Sequence, residues 1–426
     1  MNEPRPTPKL THLPGLDGLR GLAVIGVLAF HGGFTAFKGG FLGVSTFFTL
    51  SGFLITSLLL REFATHGTIS LGAFWRRRFR RLLPAALAGL LLACLCGVLY
   101  GSPEQLARLR LDVLAGLAYV ANWRFVLAHK RYADLFAAPS PLQHFWSLAI
   151  EEHFYVVYPL LVAVALRVGG RRALTAVLVA LAGVSVILSF ALSSDFDRVY
   201  YGTDTRAFEL LAGGLFSLWW TSASRRSPSL LPRQLRDVIG GTGLVLSVSA
   251  WATIGLTSAR LPRGGFVLQA LATCAVLVAL TTNGAVARVL SWRPIRAVGL
   301  ISYGLYVYHW PVFLALGDER TDLGRGALFA LRIAVTVSFA LFSYVLIEQP
   351  IRSERVPHGL ALSVAAPIAV LTVVVAAVVV SWDPPASSVA YANASIDEFK
   401  PRVVDLAPAP TTEPRQTSSA TASLAV

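Results

Sequence analysis

Apolar stretches about twenty residues long, parted by short polar connections, recur along most of the chain. A helix needs about 20 apolar residues to cross the hydrocarbon of a bilayer. Eleven segments come close: Leu16 to Phe34, Phe41 to Leu60, Leu82 to Tyr100, His144 to Leu166, Ala173 to Leu192, Arg206 to Thr221, Val238 to Leu256, Phe266 to Thr282, Gly299 to Gly317, Ala327 to Ile347 and Leu360 to Ser381. The predicted fold is all-α. A tail of residues 1–15 leads into a polytopic membrane bundle of ten core helices over residues 16–352, followed by an eleventh helix over residues 360–381. A further stretch, Leu106 to Phe125, is interrupted by Arg108, Arg110, Asp112, Asn122 and Arg124, and is read as part of a long outer loop from Gly101 to Gln143. If it crossed the bilayer, Arg171-Arg172 and Arg225-Arg226 would face outward, against the tendency of Arg-rich loops to stay in the cytoplasm. With the N-terminus inside, the inner connections carry 20 Lys and Arg and the outer ones 11. Residues 382–426, rich in Pro, Ser, Thr and Ala, are expected to be a disordered extracytoplasmic tail or linker.

Composition narrows the class further. With 55% hydrophobic and 14% charged residues and a mean hydropathy of +0.62, the chain lies far from ordinary soluble domains, where about a quarter of residues are charged. A formal charge of +14 raises nucleic acid as a partner, but the arginines fall in separate short connections with no recognition motif, so none is expected. Cys94, Cys96 and Cys274 sit within apolar stretches and read as small buried hydrophobes, with no metal site implied. The start, Met1-Asn2-Glu3-Pro4, lacks a cleavable signal pattern, so the first helix is expected to serve as an uncleaved anchor. The lipid bilayer is the first partner, and the expected location is the cell membrane.

The densest cationic run is Trp75-Arg76-Arg77-Arg78-Phe79-Arg80-Arg81. Its dull reading is a topology signal facing lipid headgroups. Its sharper reading is a cytoplasmic surface where a phosphorylated donor docks. Ionisable residues inside membrane helices are costly and often mark function. Arg20 and His31 are eleven residues apart, three turns plus about 20°, so they share a face roughly 16 Å apart. Asp17 lies one turn below Arg20 and suits it as an ionic partner. On the fourth segment His144, Ser147, Glu151, Tyr155 and Tyr158 form one stripe, with the first three level with His31. Ser302, Tyr306 and His309 make a second stripe, followed by Trp310-Pro311. Asp204 and Arg206 open the sixth segment, where a structural ion pair is an even alternative to function. Glu348 and Arg352 close the tenth.

These residues resemble the acyltransferase 3 family of integral membrane O-acyltransferases. The likeness is carried by Leu16-Asp17-Gly18-Leu19-Arg20-Gly21 with His31, Gly43-Val44 through Ser51-Gly52-Phe53, and Arg77 to Pro84. It continues in His144-Phe145-Trp146-Ser147-Leu148 with Glu151-Glu152 and Phe154-Tyr155, in Asp204-Thr205-Arg206, in Ser302-Tyr303 with Tyr306 and His309-Trp310-Pro311, and in Glu348 with Pro350 and Arg352. The resemblance implies transfer of an acyl group, usually acetyl, from cytoplasmic acyl-CoA to a hydroxyl of an extracytoplasmic or lipid-linked glycan, or of a macrolide. Acyl-CoA is a substrate here, and no permanently bound cofactor is implied. The family's Arg and His of the first helix map onto Arg20 and His31, and its paired arginines onto Arg78 and Arg81, with Arg77 beside them. Ser45 stands where an acidic residue is common, and His153 where Gln is usual. Some members also carry an outer SGNH-type esterase domain; this sequence has the eleventh helix and linker, without a Gly-Asp-Ser block.

An activated thioester asks mainly for alignment and for deprotonation of the acceptor hydroxyl. His31 is the expected general base, oriented by Glu151 or another carboxylate, with a covalent acyl-histidine relay as the alternative. Arg77, Arg78 and Arg81 are expected to hold the coenzyme's phosphates, and Arg20 to draw the donor into the bundle. Asp17, His144, Trp146, Ser147, Glu152, Asp204, Arg206, Tyr303, His309, Glu348 and Arg352 complete the expected polar network. A proton-coupled transporter is the rival from another class, since His, Glu and Arg also build proton relays; a membrane scaffold for an outer enzyme is a third reading.

Overall fold

The computed structural model describes residues 13–128, 139–226, 231–281, 284–352 and 366–380, and every regular element among them is helical. The first five helices are α1 (Pro14–His31), α2 (Gly43–His66), α3 (Leu71–Tyr100), α4 (Pro103–Leu117) and α5 (Ala121–Leu127). They are followed by α6 (Phe145–Ala191), α7 (Phe196–Tyr201), α8 (Thr203–Arg226), α9 (Arg233–Thr253) and α10 (Phe266–Leu280). The last five are α11 (Ala285–Leu290), α12 (Arg293–Leu300), α13 (Ser302–Ala315), α14 (Arg325–Ser343) and α15 (Ala366–Val380). After α14 a π turn at Tyr344–Glu348 leads into a final helical turn, Gln349–Arg352.

Five helical stretches, Thr35–His66, Leu71–Tyr100, Phe145–Ala191, Leu261–Leu280 and Arg325–Ile351, are long and apolar enough to cross a membrane, and α12 with α13, bent by 70°, makes a sixth. The helices that fall short include α1 and α8, which carry the ionisable residues Asp17 and Arg20, and Asp204, Arg206 and Glu209. Large apolar side chains stand exposed on outward helix faces, Val157 at 60%, Val168 at 82% and Ile187 at 67% among them. Such a surface suits hydrocarbon and is too apolar for water.

Four expectations change in detail. The arginine run lies inside α3, on its second and third turns, and not in a loop before it. Residues 103–127 form α4 and α5, each too short to span, where an irregular loop was expected. The hydroxyl of Ser102 accepts from the Gln105 amide while the Gln105 side chain accepts from the Ser102 amide, a capping box that starts α4. The fourth and fifth segments run together as α6 and are parted only by a bend at Gly169-Gly170, where Gly170 has φ 62°. The ninth contracts to α13, hinged on α12. The eleventh is described from Ala366 to Val380; residues 1–12 and the expected tail fall outside the described residues.

Two glycine crossings set the bundle's tight centre. A Cβ on Gly21 would run into the Ile295 carbonyl, and one on Gly299 into the Asp17 carbonyl, so α1 and α12 touch backbone to backbone. Gly52 of α2 and Gly213 of α8 do the same against the carbonyls of Leu210 and Thr49. Small residues permit this approach between membrane helices, where dispersion replaces the hydrophobic drive.

Candidate active site

The first helix lines three cavities, two through Arg20 and one through His31. Arg20 lines one of ≈ 280 Å³, together with Ser51 of α2, Arg78 and Arg81 of α3, Ser147, Glu151 and Tyr155 of α6, and Tyr303 and Tyr306 of α13. Glu151 accepts from the Ser51 hydroxyl at 2.9 Å and from the Tyr155 hydroxyl at 3.1 Å. The Arg78 guanidinium lies 5.0 Å from the centre of the Tyr155 ring and 5.8 Å from that of Phe74. Arg20 makes no hydrogen bond or ion pair among the described residues, and the charged side chains that act on it are Glu151, Asp17 and Arg78. A wider cavity of ≈ 760 Å³ shares Arg20, Leu54 and Arg81 with the first and also reaches Asp17. Asp17 therefore shares a cavity wall with Arg20 without closing the expected pair.

His31, at the other end of α1, lines a separate cavity of ≈ 520 Å³ with Trp310, Phe313, Arg320 and Arg332. Its ring packs 4.7 Å from Trp310, and its Nδ1 lies 3.0 Å from Nε2 of His309. Nδ1 of His309 lies 2.6 Å from the Tyr306 carbonyl. A carbonyl oxygen only accepts, so that Nδ1 carries the proton and a neutral His309 offers a bare Nε2. Nδ1 of His31 must then be the donor, which leaves Nε2 of His31 with its lone pair. Glu151 belongs to the Arg20 cavity, and the ring that orients His31 is His309.

Between the two cavities stands a layer from α6 and α13. The Ser147 and Tyr306 hydroxyls are 2.6 Å apart, and Tyr306 also donates to the His144 carbonyl at 3.1 Å. Nε2 of His144 is 2.9 Å from the Val307 carbonyl, so it is protonated, and Nδ1 is buried without a partner among the described residues.

The remaining expected residues separate by neighbourhood. Arg77 turns away from all three cavities towards Glu62, at 3.5 Å, and Arg80 donates to the Ile351 carbonyl. Asp204 and Arg206 are not a pair: Asp204 takes two bonds from Arg198, at 2.8 and 2.6 Å, while Arg206 bonds Glu209 at 3.1 Å. Arg206 also donates to Ser45 at 3.0 Å, so the hydroxyl at position 45 and the carboxylate of Glu209, one turn along α8, share this guanidinium. Phe48, Trp146, Tyr200 and Phe266 surround that guanidinium at 4.0–5.7 Å, which makes Trp146 part of a cage. Tyr303 donates to the Leu82 carbonyl at 2.9 Å, and His153 lies 2.9 Å from the Thr203 hydroxyl. Glu152 is buried, with no hydrogen bond among the described residues. Glu348 is buried beside Ser343 in the π turn, and the side chain of Arg352 lies outside what is described. Ser51 and Arg198 escaped sequence reasoning as site partners because nothing local marks them; Ser51 meets a carboxylate exactly one hundred positions away.

Chemically, one cavity offers cations and a hydrogen-bonded carboxylate, and the other offers an imidazole nitrogen aimed by a second imidazole. The model of the acyltransferase 3 family, an acyltransferase domain, matches residues 13–348. YrhL of Bacillus subtilis (strain 168) is 37% identical over 354 residues, which are 80% of this chain and 55% of that protein. The peptidoglycan O-acetyltransferase OatA of Listeria monocytogenes serovar 1/2a is 36% identical over 355 residues, covering 80% of this chain and 56% of its own. The O-acetyltransferase OatA of Staphylococcus aureus (strain NCTC 8325 / PS 47) is 36% identical over 351 residues, covering 80% and 58%. The chain thus spans little more than half the length of these curated relatives. No solved structure matches the chain.

Proposed function

This chain belongs to the acyltransferase 3 family, and from that premise we propose that it is a membrane O-acyltransferase that moves an acetyl group from cytoplasmic acetyl-CoA to a hydroxyl of an extracytoplasmic glycan. The observation that carries the reading is the placing of Arg20 and His31, on one helix, in two different cavities with one hydroxyl and imidazole layer between them. The donor enters beside Arg20, with Arg78 and Arg81 on its phosphates and the thioester directed at that layer. The acceptor enters beside His31. Its hydroxyl oxygen attacks the thioester carbonyl carbon, its proton goes to Nε2 of His31, the carbon–sulfur bond breaks, and the coenzyme leaves as a thiolate that takes a proton back. His309 holds His31 in the required tautomer throughout.

In this reading the N-terminus is cytoplasmic, ten core helices and an eleventh cross the membrane, and the tail is extracytoplasmic, where an SGNH-type esterase domain is a fitting partner. The relatives named as peptidoglycan O-acetyltransferases make a cell-wall sugar the first acceptor to try. Purified chain in proteoliposomes, given labelled acetyl-CoA outside and glycan fragments inside, is expected to release free CoA and to label the glycan. Solute flux without CoA release would replace the enzyme by a transporter.

A further inference from the structure

The wide cavity next to Arg20 holds more positive charge than the chemistry at Arg78 and Arg81 requires. Among the described residues, Arg20, Arg61, Arg81 and Arg171 line it against a single carboxylate, Asp17. Arg61, on the last turns of α2, makes no side-chain hydrogen bond or ion pair among the described residues. Its neighbour Glu62 is already engaged by the Ser70 amide at 2.7 Å and by Arg77. Arg171 is the first residue after the Gly169-Gly170 bend. Its guanidinium is pinned to the cavity wall by the Leu218 carbonyl at 2.9 Å and the Thr221 hydroxyl at 2.5 Å. One arginine is thus held in place and the other is left unengaged among the described residues, and both line a space of ≈ 760 Å³ that shares Arg20, Leu54 and Arg81 with the 280 Å³ cavity.

A wide, cationic chamber that shares two arginines with a smaller chamber beside it suits an elongated ligand with several phosphates at one end. We propose that Arg61 and Arg171 bind the 3′-phosphate of the donor's adenosine and leave its diphosphate to Arg78 and Arg81, so that the coenzyme threads from this chamber past Arg20 and Arg81. The assignment rests on the reading of acetyl-CoA as donor. Arginine is suited to the task because its planar fork meets phosphate oxygens two at a time. A site at the edge of a bilayer could draw the same phosphate chemistry from an anionic lipid headgroup, so the test separates the two.

The full chain is placed in phosphatidylcholine nanodiscs, and binding of labelled adenosine 3′,5′-bisphosphate is measured directly. Wild-type protein is expected to bind it, with affinity lost about tenfold or more in Arg61→Glu, the scale of one charge-assisted contact. Arg61 makes no side-chain hydrogen bond or ion pair among the described residues, so that variant is expected to keep the wild-type unfolding midpoint; Arg171→Lys, which keeps the charge without the fork, is expected to lose a part of the affinity. In turnover, Arg61→Glu raises KM for acetyl-CoA by a similar factor and leaves KM for acetyl-pantetheine, which has no phosphates, where it was. A wild-type chain that fails to bind the bisphosphate, or an Arg61→Glu variant that binds it equally well or loses both donors in proportion, overturns the assignment. Displacement of the bisphosphate by a few per cent phosphatidylglycerol gives the chamber to lipid and overturns it too. If wild-type protein binds the bisphosphate but turns over no acetyl-CoA, the acyltransferase reading fails while the phosphate site stands.

Discussion

Arg20 and Arg206 are both arginines in the interior of the bundle, and their surroundings differ completely. Arg206 is 1% exposed, bonds Glu209, Ser45 and the Tyr200 carbonyl, and is walled in by four aromatic rings. Arg20 has no hydrogen bond among the described residues and opens onto two cavities, with the line of Glu151, Ser147, Tyr306, His309 and His31 beyond it. A charge that finds its counter-charge one turn along its helix and acceptors on its neighbours is spent on the fold. One left facing a cavity is kept for something that enters it. Charge inside the membrane is therefore a weak pointer to function until its partners are known.

The largest effect expected from this contrast is at His31. Removing a general base typically costs a factor of about 10² to 10⁴, so His31→Ala should accumulate and unfold like wild type while glycan acetylation falls by that factor. His31→Gln should fail as badly, because an amide cannot take the proton; near-normal transfer by that variant would remove His31 from the mechanism. Next comes Arg206→Ala, which leaves Glu209 buried and uncompensated at a cost of about 3–5 kcal/mol. Thermal unfolding in detergent should show that loss, with KM for acetyl-CoA unchanged in the surviving protein. Arg206→Met with Glu209→Leu should recover much of the stability, and a KM effect without a stability effect would break the contrast.

Arg78→Ala and Arg81→Ala should reverse that pattern, each weakening acetyl-CoA use by about 1.5–3 kcal/mol through lost charge-assisted bonds with little change in midpoint. Unaltered affinity in the double variant would reduce the run to a topology signal. His309→Leu should lower kcat by about 10- to 100-fold, the range seen when an orienting partner is removed. His309→Gln should restore most of it, since the amide oxygen accepts from Nδ1 of His31, and equal loss in both would show that His309 does more than orient. The smallest effect is expected at Arg77, whose side chain is 40% exposed and faces Glu62. Arg77→Ala should cost no more than about 1 kcal/mol of stability and leave donor affinity alone.

What the order of residues determines here is the class of the molecule and the inventory of its chemistry. Helix-length apolar runs have one low-energy state in hydrocarbon, because a helix satisfies its own backbone, and spacings of three, four and eleven place Arg20 with His31 and Ser147 with Glu151 on shared faces without reference to any other segment. Partnership is another matter. Helical periodicity says which residues face inward, not which inward face they meet, and that depends on where Gly21 lets α12 approach and Gly52 lets α8 approach. Hence Asp204 pairs with Arg198 rather than Arg206, Glu151 with Ser51 and Tyr155 rather than His31, and His31 with a histidine 278 positions away. The arginine run shows the division within seven residues. Its composition announces a cationic surface, but only the packing of other helices against α3 sends Arg78 and Arg81 into a cavity, Arg77 to Glu62 and Arg80 to a backbone carbonyl, because residues three and four apart share a face and their partners are set by what stands opposite each turn.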